Sequence, residues 1–424
     1  MSPDTQVRRL AEEALTAPQF RWRHLRPFLG PAFLASVAYM DPGNFATNIS
    51  GGAQYGYALL WVILAANLSA MFIQYLSAKI GIVTGKSLPQ LIGERLSTPG
   101  RFFYWLQAEV MAMATDVAEF LGASLAFQLL LGVPLIVGAV LTGVTTYALL
   151  ALQRLGFRPL ESAVTALVGV ITLSYVVELF LSHPQASLWG GFVPSFRDTG
   201  MLYLSVGIFG ATVMPHVIYM HSALTQDRIL THSPKQKKRL LGFTKIEILI
   251  ALGLAGIINL AMLTAAAGAF YHTGIANVGD LSVAYKTLTP LFGPLAAGAF
   301  AIALLASGLS SSTVGTLAGQ IVMQGFVRFT IPLWLRRLVT MLPTFLVIWA
   351  GADVTQSLVL SQVILSFGIP LALVPLLLFG ANRTIMGAWT SRRHIIVSGW
   401  VITGVIVALN VFLIIQTFAT GLGT

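Results

Sequence analysis

The 424-residue chain is 56% hydrophobic and only 9% charged, against roughly 25% charged residues in a globular average, and its mean hydropathy is +0.80. That balance excludes a soluble globular protein and makes the chain an integral membrane protein. Cysteine is absent, so disulfides and thiolate metal sites are excluded, and the formal +10 charge must be read by position before it is taken as a nucleic-acid signal.

Residues 1–27 are polar and mixed in charge and lack the short apolar core and small-residue cleavage site of a signal peptide. They read as an N-terminal segment ahead of one membrane domain, residues 28–418. Within it, eleven apolar stretches have spanning length: 28–53, 57–84, 102–131, 133–152, 159–182, 201–224, 245–270, 288–312, 332–350, 356–380 and 395–418. Helices of this length cross a hydrocarbon core of roughly 30 Å. If the N-terminus is cytoplasmic, the loops on that side hold Lys86, Arg95, Arg101, Arg154 and Arg158, the basic runs 228–239 and 383–393, and Arg328, Arg336 and Arg337. Only Arg197 and Lys286 fall on the other side, while Lys79 and Lys245 sit at cytoplasmic helix ends. This asymmetry orients the chain with its N-terminus in and its C-terminus out. It also accounts for the basic excess as topology, so no nucleic-acid partner is expected.

The first stretch is interrupted by Asp41-Pro42-Gly43-Asn44. Pro42 lacks a backbone N–H and clashes with the preceding turn, and Gly43 imposes no helical preference, so the helix should open and free carbonyls near Ala38. Opened backbone at membrane depth must be buried in protein or line a cavity, and an ionisable residue beside it marks a functional site. The sixth stretch repeats the device as Ala211-Thr212-Val213-Met214-Pro215-His216. The second break lies five helices after the first, an odd offset, so helices 1–5 and 6–10 have opposite topologies, and paired interruptions in inverted halves point to a transporter's substrate site. The eleventh helix lies outside the repeat. A single mid-helix Pro is more often a packing kink; two at matching positions beside coordinating side chains are not.

These motifs resemble the paired signature of the Nramp family (natural resistance-associated macrophage proteins), proton-coupled transporters of divalent transition metals. Gly308-Leu309-Ser310-Ser311-Ser312-Thr313-Val314-Gly315-Thr316, running on to Gln320 and to Met323-Gln324-Gly325-Phe326, is similar to the family's transport signature between helices eight and nine. The resemblance covers Phe28 to Phe418 and, among bacterial members, is nearest to proton-dependent manganese transporters. It implies an all-α membrane protein of eleven transmembrane helices in an inverted 5+5 repeat, similar to amino-acid and sodium symporters, with helices one and six discontinuous. It further implies proton-coupled uptake of Mn²⁺ and Fe²⁺, and of Co²⁺ and Cd²⁺, across a bacterial cytoplasmic membrane by alternating access. On that reading the protein is no enzyme, has no cofactor beyond the metal it carries, and works as a monomer in the lipid bilayer.

The donors at the two breaks suit that cargo. Asp41 offers a carboxylate, Asn44 an amide oxygen, Ala38 and Ala211 freed carbonyls, and Met214 a thioether. Oxygen donors serve Mn²⁺ but also Mg²⁺ and Ca²⁺, whereas a sulfur adds affinity only for softer ions, so Met214 should set selectivity. Its bland alternative is gap filling in a core. By resemblance, Gln362 approaches the metal when the outer vestibule closes.

Proton coupling needs ionisable groups leading to water. Glu109, Asp116 and Glu119 lie on similar faces of the third stretch, and three carboxylates in one membrane helix require a polar path or a partner. Arg337, with Arg336 beside it, is the expected partner, and by resemblance Asp116, Glu119 and Arg337 form the proton exit; simple positive-inside anchoring is the competing reading of the arginines. His216 and His221 are by resemblance placed near the metal and lower in the inward path, although a lone membrane His is more often a packing residue. Asn67 and Asn259 read as gate hydrogen bonds or helix–helix glue, and Glu161, Glu178 and Glu247 as solvated helix-end residues. Three rivals remain: a sodium-coupled solute symporter, against which Asp41 argues by repelling an anionic substrate; an intramembrane metalloenzyme, for which the His-Glu-x-x-His spacing is missing; and a magnesium transporter, which the sulfur of Met214 disfavours.

Overall fold

The computed structural model describes residues 3–17, 21–151, 157–182, 186–226, 228–231, 233–271, 279–327 and 331–419, and among them there is no strand. Helix α1 (Pro3–Thr16) precedes the first apolar run, which is two helices, α2 (Pro31–Ala38) and α3 (Pro42–Tyr55). Next come α4 (Leu60–Thr84), the short α5 (Leu88–Gly93), α6 (Thr98–Leu131), α7 (Leu135–Ala151) and α8 (Phe157–Ser182). The sixth run is again divided, into α9 (Thr199–Thr212) and α10 (Pro215–Thr225). The chain continues through α11 (Pro234–Phe270), α12 (Leu281–Phe292), α13 (Pro294–Phe326), α14 (Leu333–Trp349), α15 (Val354–Ala381), α16 (Arg383–Met386) and α17 (Arg393–Ala419).

Eight stretches of the described chain are long and apolar enough to cross a membrane, and α7 is a shorter apolar helix. Two differences from the sequence reading have clear causes. The signature at residues 308–326 is not a connection between helices eight and nine but the second half of α13. Its hydroxyls bond back to the preceding turn, Ser310 to Ala306 O at 2.7 Å, Ser311 to Ser307 O at 2.8 Å, Thr313 to Leu309 O at 2.9 Å and Thr316 to Ser312 O at 2.8 Å, so a polar run stays helical and buried. The eighth apolar stretch, expected to begin at 288, is divided at Gly293 into α12 and α13 because the backbone there takes φ +85, a left-handed value that suits glycine.

The broken helices occupy the centre. In the α9–α10 segment 94% of the apolar window is buried, against 22% in α17, so α17 packs on α9 and α15 at the edge. α3 lies against α9 and α11, α10 against α4, and α6 against α13. α1 docks Ala11, Ala14 and Leu15 beside Leu240 and Phe243 of α11.

Candidate functional site

Both breaks follow from one rule of helix bonding. The carbonyl of residue i accepts from the N–H of residue i+4; for Ala38 that residue is Pro42 and for Ala211 it is Pro215, and neither has an N–H. Each helix therefore stops where its next donor is missing, and each Pro begins the following helix, where its fixed φ is welcome. Asp41 caps α3, accepting from Asn44 N at 2.8 Å, and Met214 occupies the same position before α10. The neighbouring carbonyls are satisfied from other helices: Asn259 Nδ2 donates to Tyr39 O at 2.7 Å and Ser307 Oγ to Met40 O at 2.5 Å.

The two breaks meet through Asn44. With its amide nitrogen turned inward, Asn44 donates to Asp41 Oδ1 at 2.7 Å and to Ala211 O at 3.3 Å. With its oxygen turned inward, three oxygens converge with no donor between them, an arrangement that repels unless a cation sits among them. Asp41 Oδ2 and Gln362 Oε1 are buried with no hydrogen-bond partner. Gln362 lies over both breaks, its side chain against Gly43 and its backbone carbonyl against Gly210, so that a Cβ at either glycine would collide with it. Ala38, Asp41, Asn44, Ala211, Met214 and Gln362 are each at most 3% exposed. Among the described residues no group of three or more His, Cys, Asp and Glu could hold a metal. The donors that the two breaks offer are instead mixed: one carboxylate, an amide and a backbone oxygen that meet, with the thioether-bearing Met214 at the N-cap of α10. Such a set can hold a cation of intermediate softness.

A second polar assembly joins α6 to α14. Arg337 donates to Asp116 and to Ser312 Oγ, with its guanidinium 4.6 Å from the Phe120 ring centroid. Arg336 Nη2 donates to Glu109 Oε2 at 2.9 Å, and Trp105 Nε1 to Glu109 Oε1 at 3.2 Å. The two arginines are thus ion-paired inside the protein rather than anchored at a lipid surface. Glu119 is buried one turn beyond Asp116 with Oε2 unpartnered, facing the bare backbone of Gly315 at 3.1 Å from the place a Cβ would take. His216, adjacent to Pro215, has Nδ1 3.4 Å from Thr115 Oγ1, which places it between the two assemblies. His221 lies apart from them: its Nδ1 is 2.9 Å from Gln74 Oε1, and Gln74 Nε2 donates to Tyr39 OH at 2.6 Å.

Several participants are not visible in the sequence reading. Gln74 and Thr115 carry no motif and are found only through their partners. Glu247, expected to be solvated, is buried and accepts from Gly30 N at 2.8 Å and Ala32 N at 2.9 Å, capping the start of α2 from a helix more than 200 positions away. Glu178 is buried too, in the wall of a small, mainly apolar cavity of about 20 Å³ between α8, α11 and α13; the Glu161 side chain lies outside the described residues. Asn259 bonds Asn48 Nδ2 at 2.8 Å as well as the Tyr39 carbonyl, and Asn67 lies against Gly256 of α11.

Comparison with known proteins gives a consistent result. The family model described as natural resistance-associated macrophage protein-like matches residues 32–416. A divalent metal cation transporter of Deinococcus radiodurans, MntH, is 60% identical over 393 residues, spanning 92% of this chain and 90% of that protein. The structure of a mutant manganese transporter from Eremococcus coleocola is similar with a TM-score of 0.84 at 32% identity, covering 93% of this chain and 88% of that one. At 14% identity MhsT, solved with L-phenylalanine, shares the fold alone, with a TM-score of 0.60 over 90% of this chain and 98% of its own.

Proposed function

This chain belongs to the natural resistance-associated macrophage protein family, and from that premise we propose that it carries divalent transition-metal ions, Mn²⁺ and Fe²⁺ foremost and Co²⁺ and Cd²⁺ besides, across the cytoplasmic membrane together with protons. The observation that carries this reading is the meeting of Asp41, Asn44 and the Ala211 carbonyl at two opposed helix breaks. Asp41 binds the ion as the anion, Asn44 turns its oxygen inward, Ala38 and Ala211 lend carbonyls, Met214 supplies sulfur, and Gln362 closes the outer side. Sulfur favours soft-leaning dications and gives Mg²⁺ nothing, which sets aside a magnesium transporter.

Protons leave by a different route. His216 stands beside the ion site, and the path runs from Asp41 through Asp116 and Glu119 to Arg337, with the Arg336–Glu109 pair beyond; His221 belongs to the inward vestibule. Residues 28–418 act as one transport domain behind a cytoplasmic segment, 1–27, with the C-terminus outside, and a monomer is complete. The metal is cargo and leaves chemically unchanged, so the protein is not an enzyme and needs no resident cofactor. An inside-negative potential favours entry by about 2.3 kcal/mol per charge per 100 mV, hence about 4.6 kcal/mol for a dication, so the direction is uptake. Proteoliposomes holding a metal-sensitive dye and a pH dye test this across a series from Mg²⁺ to Cd²⁺. Wild type should move Mn²⁺, Fe²⁺, Co²⁺ and Cd²⁺ with acidification of the lumen, and Asp41→Asn should move none. Full Mn²⁺ uptake by Asp41→Asn, or equal transport of Mg²⁺ and Mn²⁺, would overturn the reading.

A further inference from the structure

Lys79 is a buried cation with no counterion among the described residues. It lies in the last turns of α4, 8% exposed, and its ammonium donates to Ser391 Oγ at 3.0 Å. Among the described residues no carboxylate lies within ion-pair distance of it. An ammonium has three donors, and a hydroxyl supplies no charge, so the site is short of an anion, and a charge buried without one is unfavourable. Glu94, on the same basic side of the protein, is already engaged by Lys86 at 2.7 and 2.9 Å.

The chain on either side of Ser391 carries basic residues and no acidic ones. From residue 354 to 424 the chain contains no Asp or Glu, but it places Arg392 and Arg393 directly after Ser391, both exposed at the start of the 27-residue α17. The first turn of a helix presents unpaired N–H groups and the positive end of its dipole. From Arg393 one face of α17 continues through Val397, Trp400 and Val401, all exposed, a stripe at helical spacing that runs from the basic end into the apolar depth of the span. Tryptophan near such an end is typical of the headgroup level.

We propose that this corner, where the end of α4 meets the segment leading into α17, binds the phosphate of an anionic phospholipid headgroup, held by Lys79, Ser391, Arg392 and Arg393, with an acyl chain along Val397 and Val401. A lipid is chosen over free phosphate because the apolar stripe begins where the charges end. The inference rests on the orientation given above, which puts this end at the anionic cytoplasmic leaflet, but its test does not depend on transport. Lipid binding seats α17, which stands outside the repeat, against the moving core.

Native mass spectrometry of the full chain in micelles, titrated with phosphatidylglycerol or phosphatidylcholine, tests the site. Wild type should hold phosphatidylglycerol at least tenfold more tightly, and Lys79→Met, which keeps the aliphatic stem, and the exposed Arg393→Gln should each weaken it roughly fivefold. Arg101→Gln, another basic residue of the same side, should leave it unchanged. Should Lys79→Met not fold, Arg393→Gln and Arg392→Gln carry the comparison. Equal binding of the two lipids, an equal loss in Arg101→Gln, or retention of inorganic phosphate without a preference for the anionic lipid would each overturn the proposal.

Discussion

Breaking the Arg337–Asp116 pair should unsettle the protein far more than removing it. The two side chains are 1% and 6% exposed, so either single substitution strands a charge in the interior. Arg337→Met leaves the Asp116 carboxylate without its cation, and Asp116→Asn leaves the guanidinium with Ser312 Oγ and the Phe120 ring. Each should cost about 3–5 kcal/mol, and independent effects would sum to about 6–10 kcal/mol. The double variant removes both charges together and should cost no more than the worse single, a coupling of at least about 3 kcal/mol. Denaturant unfolding in micelles, followed by near-UV signal, measures all three variants. Proton movement in liposomes should remain lost in the double variant, since stability is recovered and the acid is not. A double variant as unstable as the sum of the singles would refute the view that these residues act as one buried pair.

Three further outcomes follow from the geometry. Met214→Ala should reduce discrimination of Mn²⁺ and Cd²⁺ over Mg²⁺ at least tenfold, about 1.4 kcal/mol, with Mg²⁺ uptake preserved; competition uptake assays read the ratio, and an unchanged ratio would return Met214 to core filling. Gly43→Ala puts a methyl group where the Gln362 amide lies and should hold the outer side open. With no native cysteine in the chain, a single Thr47→Cys reporter should label faster from outside in that background, and equal labelling would mean that Gln362 is not the closing residue. Ahead of α9, the Tyr55 hydroxyl donates to Asp198 Oδ1 at 2.7 Å, and with the Met201 N–H it holds the Asp198 carboxyl below the usual carboxylate range. A depressed folded value means that the link stabilises above the unfolded value of about 3.9 and is lost only as pH falls below it. Thermal unfolding from neutral pH downward should therefore show a late loss in wild type and none from this source in Asp198→Asn; identical profiles would remove the Tyr55–Asp198 link from the acid response.

The breaks were legible because a proline inside an apolar run has one local meaning, the loss of a donor, and because Pro42 and Pro215 recur at matching places in opposed halves. Asp116 and Arg337 were legible as a buried acid and a cation in need of each other. The continuation of α13 was not, since a hydropathy count ends at Ser310–Ser312 while the hydroxyls are satisfied within their own helix. Nor were the caps and bridges made over long separations. Glu247 reads as a solvated helix-end acid until Gly30 and Ala32 are seen to donate to it, and Gln74 is one more membrane amide until Tyr39 and His221 stand on either side of it. Local backbone chemistry is written in neighbouring residues, whereas a side chain's partner is set by packing.

The central claim is that one carboxylate, oxygens freed by two prolines and one thioether surround the same ion. X-ray absorption at the cadmium edge of the Cd²⁺-loaded protein tests it most directly. The account predicts a shell of oxygens with a single sulfur, and loss of that sulfur alone in Met214→Leu; an all-oxygen shell in the wild type, or one unchanged by the substitution, would contradict it.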